Sequence, residues 1–118
     1  MYSKTILIGR LGRDPEMRFT PEGKAVTSFS VAVDDGYGEK KVTAWYKVTA
    51  WDKLAESCNN FLSKGKLVLV EGHITVDEKT GSPRIWEKDG VSHSSLELTA
   101  NSVKFLSAKE STQEDIPF

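Results

Sequence analysis

Apolar and polar residues alternate along much of this chain with a period of two, the spacing of strands and not of helices. In "AVTSFSVAVD", Thr27, Phe29, Val31 and Val33 fall on one side and Val26, Ser28, Ser30 and Ala32 on the other, which predicts a half-buried strand. "KTILIGRLG" predicts an apolar strand whose Gly9 and Gly12 mark a bulge or a close backbone approach. "RDPEMRFTPEGK", with Pro15, Pro21 and Gly23, predicts a loop, and "DGYGEK" a turn with an aromatic at its tip. A long strand, "KVTAWYKVTAW", follows. "DKLAESCNNFLSKG" is the one helical stretch, with Asp52 as N-cap, Gly65 as stop, and Leu54, Ala55, Cys58, Phe61 and Leu62 on one face. "KLVLVEGHITV" is the next strand, and "EKTGSP" a turn. "RIWEKDGVSHSSLEL" predicts a hairpin about Asp89 and Gly90, and a last strand runs to about Phe105. Three strands, a helix and about two more strands fit a small mixed antiparallel barrel with the helix plugging one end.

The long strand carries the chemistry. Val42, Ala44, Tyr46, Val48 and Ala50 share one face and can pack a core; Thr43, Trp45, Lys47, Thr49 and Trp51 share the other. A buried face would not place Lys47 between two indoles, and a merely solvated face would not present two tryptophans. Flat aromatics interleaved with a cation and hydroxyls suit an unpaired nucleic-acid strand, whose bases stack on rings for roughly 1–3 kcal/mol each regardless of sequence. The competing expectation is that one or both tryptophans are core residues, as large aromatics often are. Tyr37 at its turn, Trp86 beside Arg84, and Phe19 after Arg18 could extend the aromatic set, and Lys4, Arg10, Arg13, Arg18 and Lys53 could line a path for phosphates.

Composition narrows the reading. With 118 residues, 38% hydrophobic and 28% charged, the chain has the makings of one globular domain and is too apolar for a disordered one. Net charge is −1, but it is unevenly distributed. Glu110, Glu114 and Asp115 lie in the last nine positions with no basic residue, so the remainder carries 16 basic against 14 acidic side chains. The body is mildly basic and the end acidic. Cys58 alone cannot form an internal disulfide, and with His73 and His93 it does not suggest a metal site; no metal or cofactor is expected. No secretory signal or apolar run of about 20 residues is visible, so a cytoplasmic location is expected. No phosphate-binding glycine loop, nucleophile elbow or metal-spaced histidine pair points to an enzyme.

"ILIGRLGRDPEMRFTPEGKAVTSFSVAV" with "WYKVTAWDKLAESCNNFLSKGKLVLVEGHI" resembles the bacterial single-stranded DNA-binding proteins. The resemblance covers roughly residues 3–106 and the last five. It implies an all-β, five-stranded Greek-key barrel of the oligonucleotide/oligosaccharide-binding (OB) fold, with one α-helix between strands 3 and 4 and a flexible acidic C-terminal tail. Residues 1–107 would form the binding domain and 108–118 the tail. Tyr37, Trp45, Trp51 and Trp86 match base-stacking positions of the family, and Lys47 a basic position near the bound strand. The phosphate roles of Lys4, Arg10, Arg13, Arg18, Lys53 and Arg84, and stacking by Phe19, follow from charge, type and placement. The "DDGYGEKK" turn is short beside the flap of many members, so Tyr37 is expected to reach fewer bases. The implied function is sequence-independent coating and protection of single-stranded DNA in replication, recombination and repair, by a homotetramer associated with the nucleoid.

"EDIPF" also matches the family, whose acidic tip docks replication, recombination and repair enzymes; Glu114, Asp115, Ile116, Pro117 and Phe118 are the residues concerned. The chemistry agrees: burying Ile116 and Phe118 in a partner's apolar pocket yields about 1.5–3 kcal/mol each. Pro117 limits the backbone freedom lost on binding, while Glu114 and Asp115 attract a basic rim. The spacer of about eight residues after Leu106 is shorter than in many members and predicts a short reach, with contact to the protein's own basic groove. Two other classes fit the barrel less well: an RNA-handling barrel, which would need specific 2′-hydroxyl readout, and a protein-bridging accessory barrel, which would lack the paired tryptophans and acidic tip.

Overall fold

A computed structural model describes residues 1–107. The tail residues 108–118, with the docking segment Glu114–Phe118, lie outside the described residues. The strands are β1 (Thr5–Leu11), β2 (Glu16–Phe19), β3 (Ala25–Asp35), β4 (Val42–Trp51), β5 (Leu67–Ile74), β6 (Ile85–Lys88), β7 (Val91–Ser94) and β8 (Leu96–Phe105). The helix α1 (Asp52–Phe61) joins β4 to β5.

Strand order β1-β5-β8-β4-β3, with β3 pairing back onto β1, closes a five-stranded barrel. Counted along the chain, β4 and β5 are the third and fourth of the five barrel strands, and the helix lies between them, as the OB-fold expectation has it. β4 and β8 run parallel and the other barrel pairings are antiparallel. Closure leaves these strands without free edges, and their inward side chains form the core: Leu7, Leu11, Phe29, Val31, Val48, Ala50, Val68, Val70, Leu98 and Ala100. Cys58 of the helix and Leu62 just after it complete the core, and Leu54 packs against it. Among the described residues no helix is long and apolar enough to cross a membrane.

Several local expectations change. "RDPEMRFTPEGK" is not all loop: Glu16–Phe19 pair with Ala25–Ser28 as β2. Four residues, 12–15, separate Leu11, opposite Val31, from Glu16, opposite Ser28, so the first strand bends there and continues along β3. Asp52 does not cap the helix through its side chain. It occupies the left-handed region (φ 58°), which Asp tolerates better than most residues, and turns the chain from β4 into α1. The helix ends at Phe61, with the Leu62 N–H donating to the Cys58 carbonyl, so Gly65 lies beyond its stop. Phe61, expected on the apolar face, is exposed and meets Phe105 instead.

One buried polar group ties the helix to the sheet. Thr27, fully buried on the inner face of β3, donates its hydroxyl to the Ala55 carbonyl at 2.7 Å. Thr27→Val keeps the shape and removes this bond. It should lower stability by about 1 kcal/mol, seen as a reduced urea midpoint with unchanged slope. Burial also pushes the Cys58 thiol up from its ordinary 9.0 to about 11. Thiol reagents at neutral pH should therefore label Cys58 only as fast as the barrel unfolds; labelling that outpaces unfolding would contradict this packing.

Candidate nucleic-acid interface

Residues paired across adjacent strands share a face, so the registers of β2, β3, β4 and β8 reveal the outer surface row by row. Trp51 lies opposite Val26 and, beyond it, Arg18; Thr49 opposite Ser28; Lys47 opposite Ser30; Trp45 opposite Ala32. On the other side of β4, Lys47 neighbours Glu97 and Thr49 neighbours Thr99. The small side chains of Ser28, Ser30 and Ala32 leave a shallow floor beside the two indoles. Trp45 is 52% exposed and Trp51 41%, while Val48 and Ala50 between them are sealed in the core. The tryptophans are therefore surface residues.

Trp45 has a defined seat. A Cβ built on Gly12 would lie 2.5 Å from its ring, so the indole packs directly against backbone at the bend of the first strand. The Gly12 N–H donates to the Ser30 carbonyl, holding that bend on β3. Beside it a depression of about 250 Å³ is lined by Arg13, Lys47, Ser28, Ser30 and Phe29 together with the carboxylates Asp14 and Glu16.

The β6–β7 hairpin brings the third tryptophan over this face. Asp89 (φ 53°) and Gly90 (φ 78°) both take the left-handed conformation of a two-residue turn and set Trp86 opposite His93. The two rings stack with centroids 5.6 Å apart and 22° between planes, and the Arg84 guanidinium carbon lies 4.4 Å from the Trp86 ring centre. Arg84 is itself held by Glu97, through Nε and Nη2, each at 3.0 Å. Trp86 thus joins Trp45, Thr43, Lys47 and Ser30 around one open cleft of about 490 Å³.

The remaining sequence candidates divide. Arg13 joins the face through the depression beside Lys47, and Arg18 through its row with Trp51; Lys53 follows Trp51 at the start of α1. None of the ion pairs among the described residues involves Arg13, Arg18, Lys47 or Lys53, so their charge is available to phosphate. Arg10 starts in the Trp45 row, but its guanidinium donates to the Gly65 carbonyl at 2.9 Å. Lys4 is paired with Glu71 of β5 at 3.3 Å, away from the tryptophan rows. Phe19 is exposed at the end of β2 with the opposite parity to Arg18, and Tyr37 is exposed in the turn before β4. The structure does not bring Lys4, Arg10, Phe19 or Tyr37 into the tryptophan cleft. The close approach expected at Gly12 is there, but the sequence does not name the Trp45 ring as what approaches, nor His93 as the stacking partner of Trp86. The second was within reach, because a two-residue turn at Asp89-Gly90 pairs position 86 with 93.

Among the described residues, no group of three or more His, Cys, Asp or Glu side chains could hold a metal ion. The surface offers aromatic rings, small hydroxyls and cations that form no ion pair among the described residues, a set suited to stacking and charge neutralisation.

Comparison with known proteins is consistent with that surface. Single-stranded DNA-binding proteins are similar to this chain in Neisseria meningitidis (37% identity over 121 residues, 98% of this chain), Thermotoga maritima (39% over 114, 92%) and Clostridium tetani (42% over 108, 88%). The chain spans 66%, 76% and 70% of the lengths of those relatives, respectively. Residues 2–106 match the Single-strand binding protein family, and the chain belongs to that family.

Proposed function

We propose that this protein binds single-stranded DNA without sequence preference, and that it acts by coating and protecting exposed strands. The observation that carries the reading is the outward pair Trp45 and Trp51 flanking Lys47 on β4, with Trp86 completing the cleft. Bases stack on the indoles; Lys47, Arg13, Arg18 and Lys53 neutralise passing phosphates; Ser28, Ser30 and Thr49 keep the floor low enough for a strand to lie flat. Stacking supplies affinity on a chain whose net charge is −1, so long-range attraction is not the main source of binding. Family membership places the chain among binding proteins and not enzymes.

The same reading extends to the whole protein. Coating serves replication, recombination and repair in the cytoplasm, at the nucleoid, and Glu114, Asp115, Ile116, Pro117 and Phe118 recruit the enzymes of those processes. The barrel works as a homotetramer. What supports assembly is the outer face of β1, where Ile6 and Ile8 are 56% and 53% exposed side by side, with Leu69 of β5 opposite Ile8.

Trp45→Ala and Trp51→Ala should each weaken binding of oligothymidylate by about 1–3 kcal/mol without lowering the thermal midpoint. A double variant with unchanged affinity would refute the interface. Gly12→Val should weaken binding in the same assay, by displacing the Trp45 ring from its seat; wild-type affinity in this variant would mean that the seat is irrelevant. Deleting residues 114–118 should abolish capture of partner enzymes while leaving oligothymidylate affinity in place, and capture that survives the deletion would exclude the docking role.

A further inference from the structure

Away from the tryptophan face, the barrel has an apolar groove at the junction of α1, β5 and β8. Its walls include Phe61, Leu62, Leu67 and Phe105, with Asn60, Lys66 and Ser107 as the polar members, and its volume is about 350 Å³. Phe61 is 64% exposed and Phe105 41%, although the two rings lie 5.8 Å apart in a tilted pair. The open aromatic pair adjoins the buried Leu62 just past the end of the helix, so the groove has an apolar floor. Its lining includes Lys66 and no carboxylate, and none of the ion pairs among the described residues uses Lys66.

The end of the described chain is anchored in this groove. The Leu106 N–H donates to the Leu67 carbonyl at 2.9 Å, and the Leu67 N–H donates to the Ser107 hydroxyl at 2.7 Å. The described chain therefore ends on the groove's own wall, at Ser107. The segment that follows carries Glu110, Glu114 and Asp115 for a basic rim, and Ile116 and Phe118 for an apolar floor. Nine residues of extended chain, the separation of Ile116 from Ser107, span up to about 30 Å, ample for folding back on the point of departure. A tether this short gives an effective concentration on the order of millimolar, so even a weak intrinsic affinity fills the groove.

We infer that the groove between Phe61 and Phe105 is a docking site for residues 108–118 of the same chain, with Ile116 or Phe118 against the aromatic pair and an acidic side chain on Lys66. This site is distinct from the nucleic-acid face: no residue of the groove lines the tryptophan cleft. The segment expected to contact the protein's basic groove thus has a better-matched seat, apolar and basic together. Where the recruiting role of Glu114–Phe118 holds, a docked segment is withheld from partner enzymes, and a partner must outcompete the groove to engage it.

The test is amide chemical-shift mapping of the full-length protein against its Ile116→Ser/Phe118→Ser variant. Amides of residues 60–67 and 105–107 should shift, those of Trp45–Trp51 should not, and the shifts should disappear when the same tail change is made in a Lys66→Glu background. Groove amides unmoved by the tail variant would overturn the proposal and leave the groove to a partner's side chain. Movement confined to Trp45–Trp51 would also overturn it, placing the tail on the nucleic-acid face. Oligothymidylate affinity, measured on the same samples, judges the binding face independently of either result.

Discussion

Strand β4 is hydrogen-bonded along both edges, to β3 on one side and β8 on the other, and this double clamp dictates where each of its side chains points. Val48 and Ala50 enter the core with no exposed surface, so Trp45, Lys47, Thr49 and Trp51 have to face outward. A slip of one residue would put an ammonium and two indoles into the barrel and Tyr46 and Val48 into water. Core packing and the binding surface are thus two consequences of a single register, and the burial that stabilises the barrel also holds the rings in place.

Around this strand, each neighbour shapes one part of the site. The bend of the first strand at Gly12 lets backbone meet the Trp45 ring, and β3 supplies small residues that keep the surface shallow. The hairpin contributes Trp86 already stacked on His93 and held beside Arg84, which is itself fixed by Glu97. Rings fixed before a ligand arrives lose little freedom on binding, so more of the stacking energy is available as affinity. Among the described residues Lys47, Arg13, Arg18 and Lys53 form no ion pair, whereas Arg84, Lys4 and Arg10 each have a partner.

Much of this was legible in the chain because the informative features are local. Alternation within "KVTAWYKVTAW" separates core from surface without knowledge of any partner strand, and Asp89-Gly90 specifies its hairpin through backbone chemistry alone. The failures occurred where tertiary contacts decide. Pro15 and Pro21 flank β2 and suggested a loop, yet β3 offers a pairing edge that the intervening residues take. Helical periodicity put Phe61 on the buried face, but the helix ends there and Leu62 takes the core position. No local rule reveals that Arg10 turns to Gly65, because its partner is 55 positions away.

The barrel presents two chemically different surfaces: open indoles with cations beside them on the β3–β4 side, and an aromatic groove with a lysine at the end of β8. The first is central to the account, and indole emission reads it directly. Titration with oligothymidylate at low salt should quench tryptophan fluorescence to saturation, with an apparent affinity that falls as salt rises by about 0.7 log units per neutralised phosphate per log unit of salt. Emission that stays constant while the oligonucleotide binds would show that the bases do not lie on these rings, and would contradict the account.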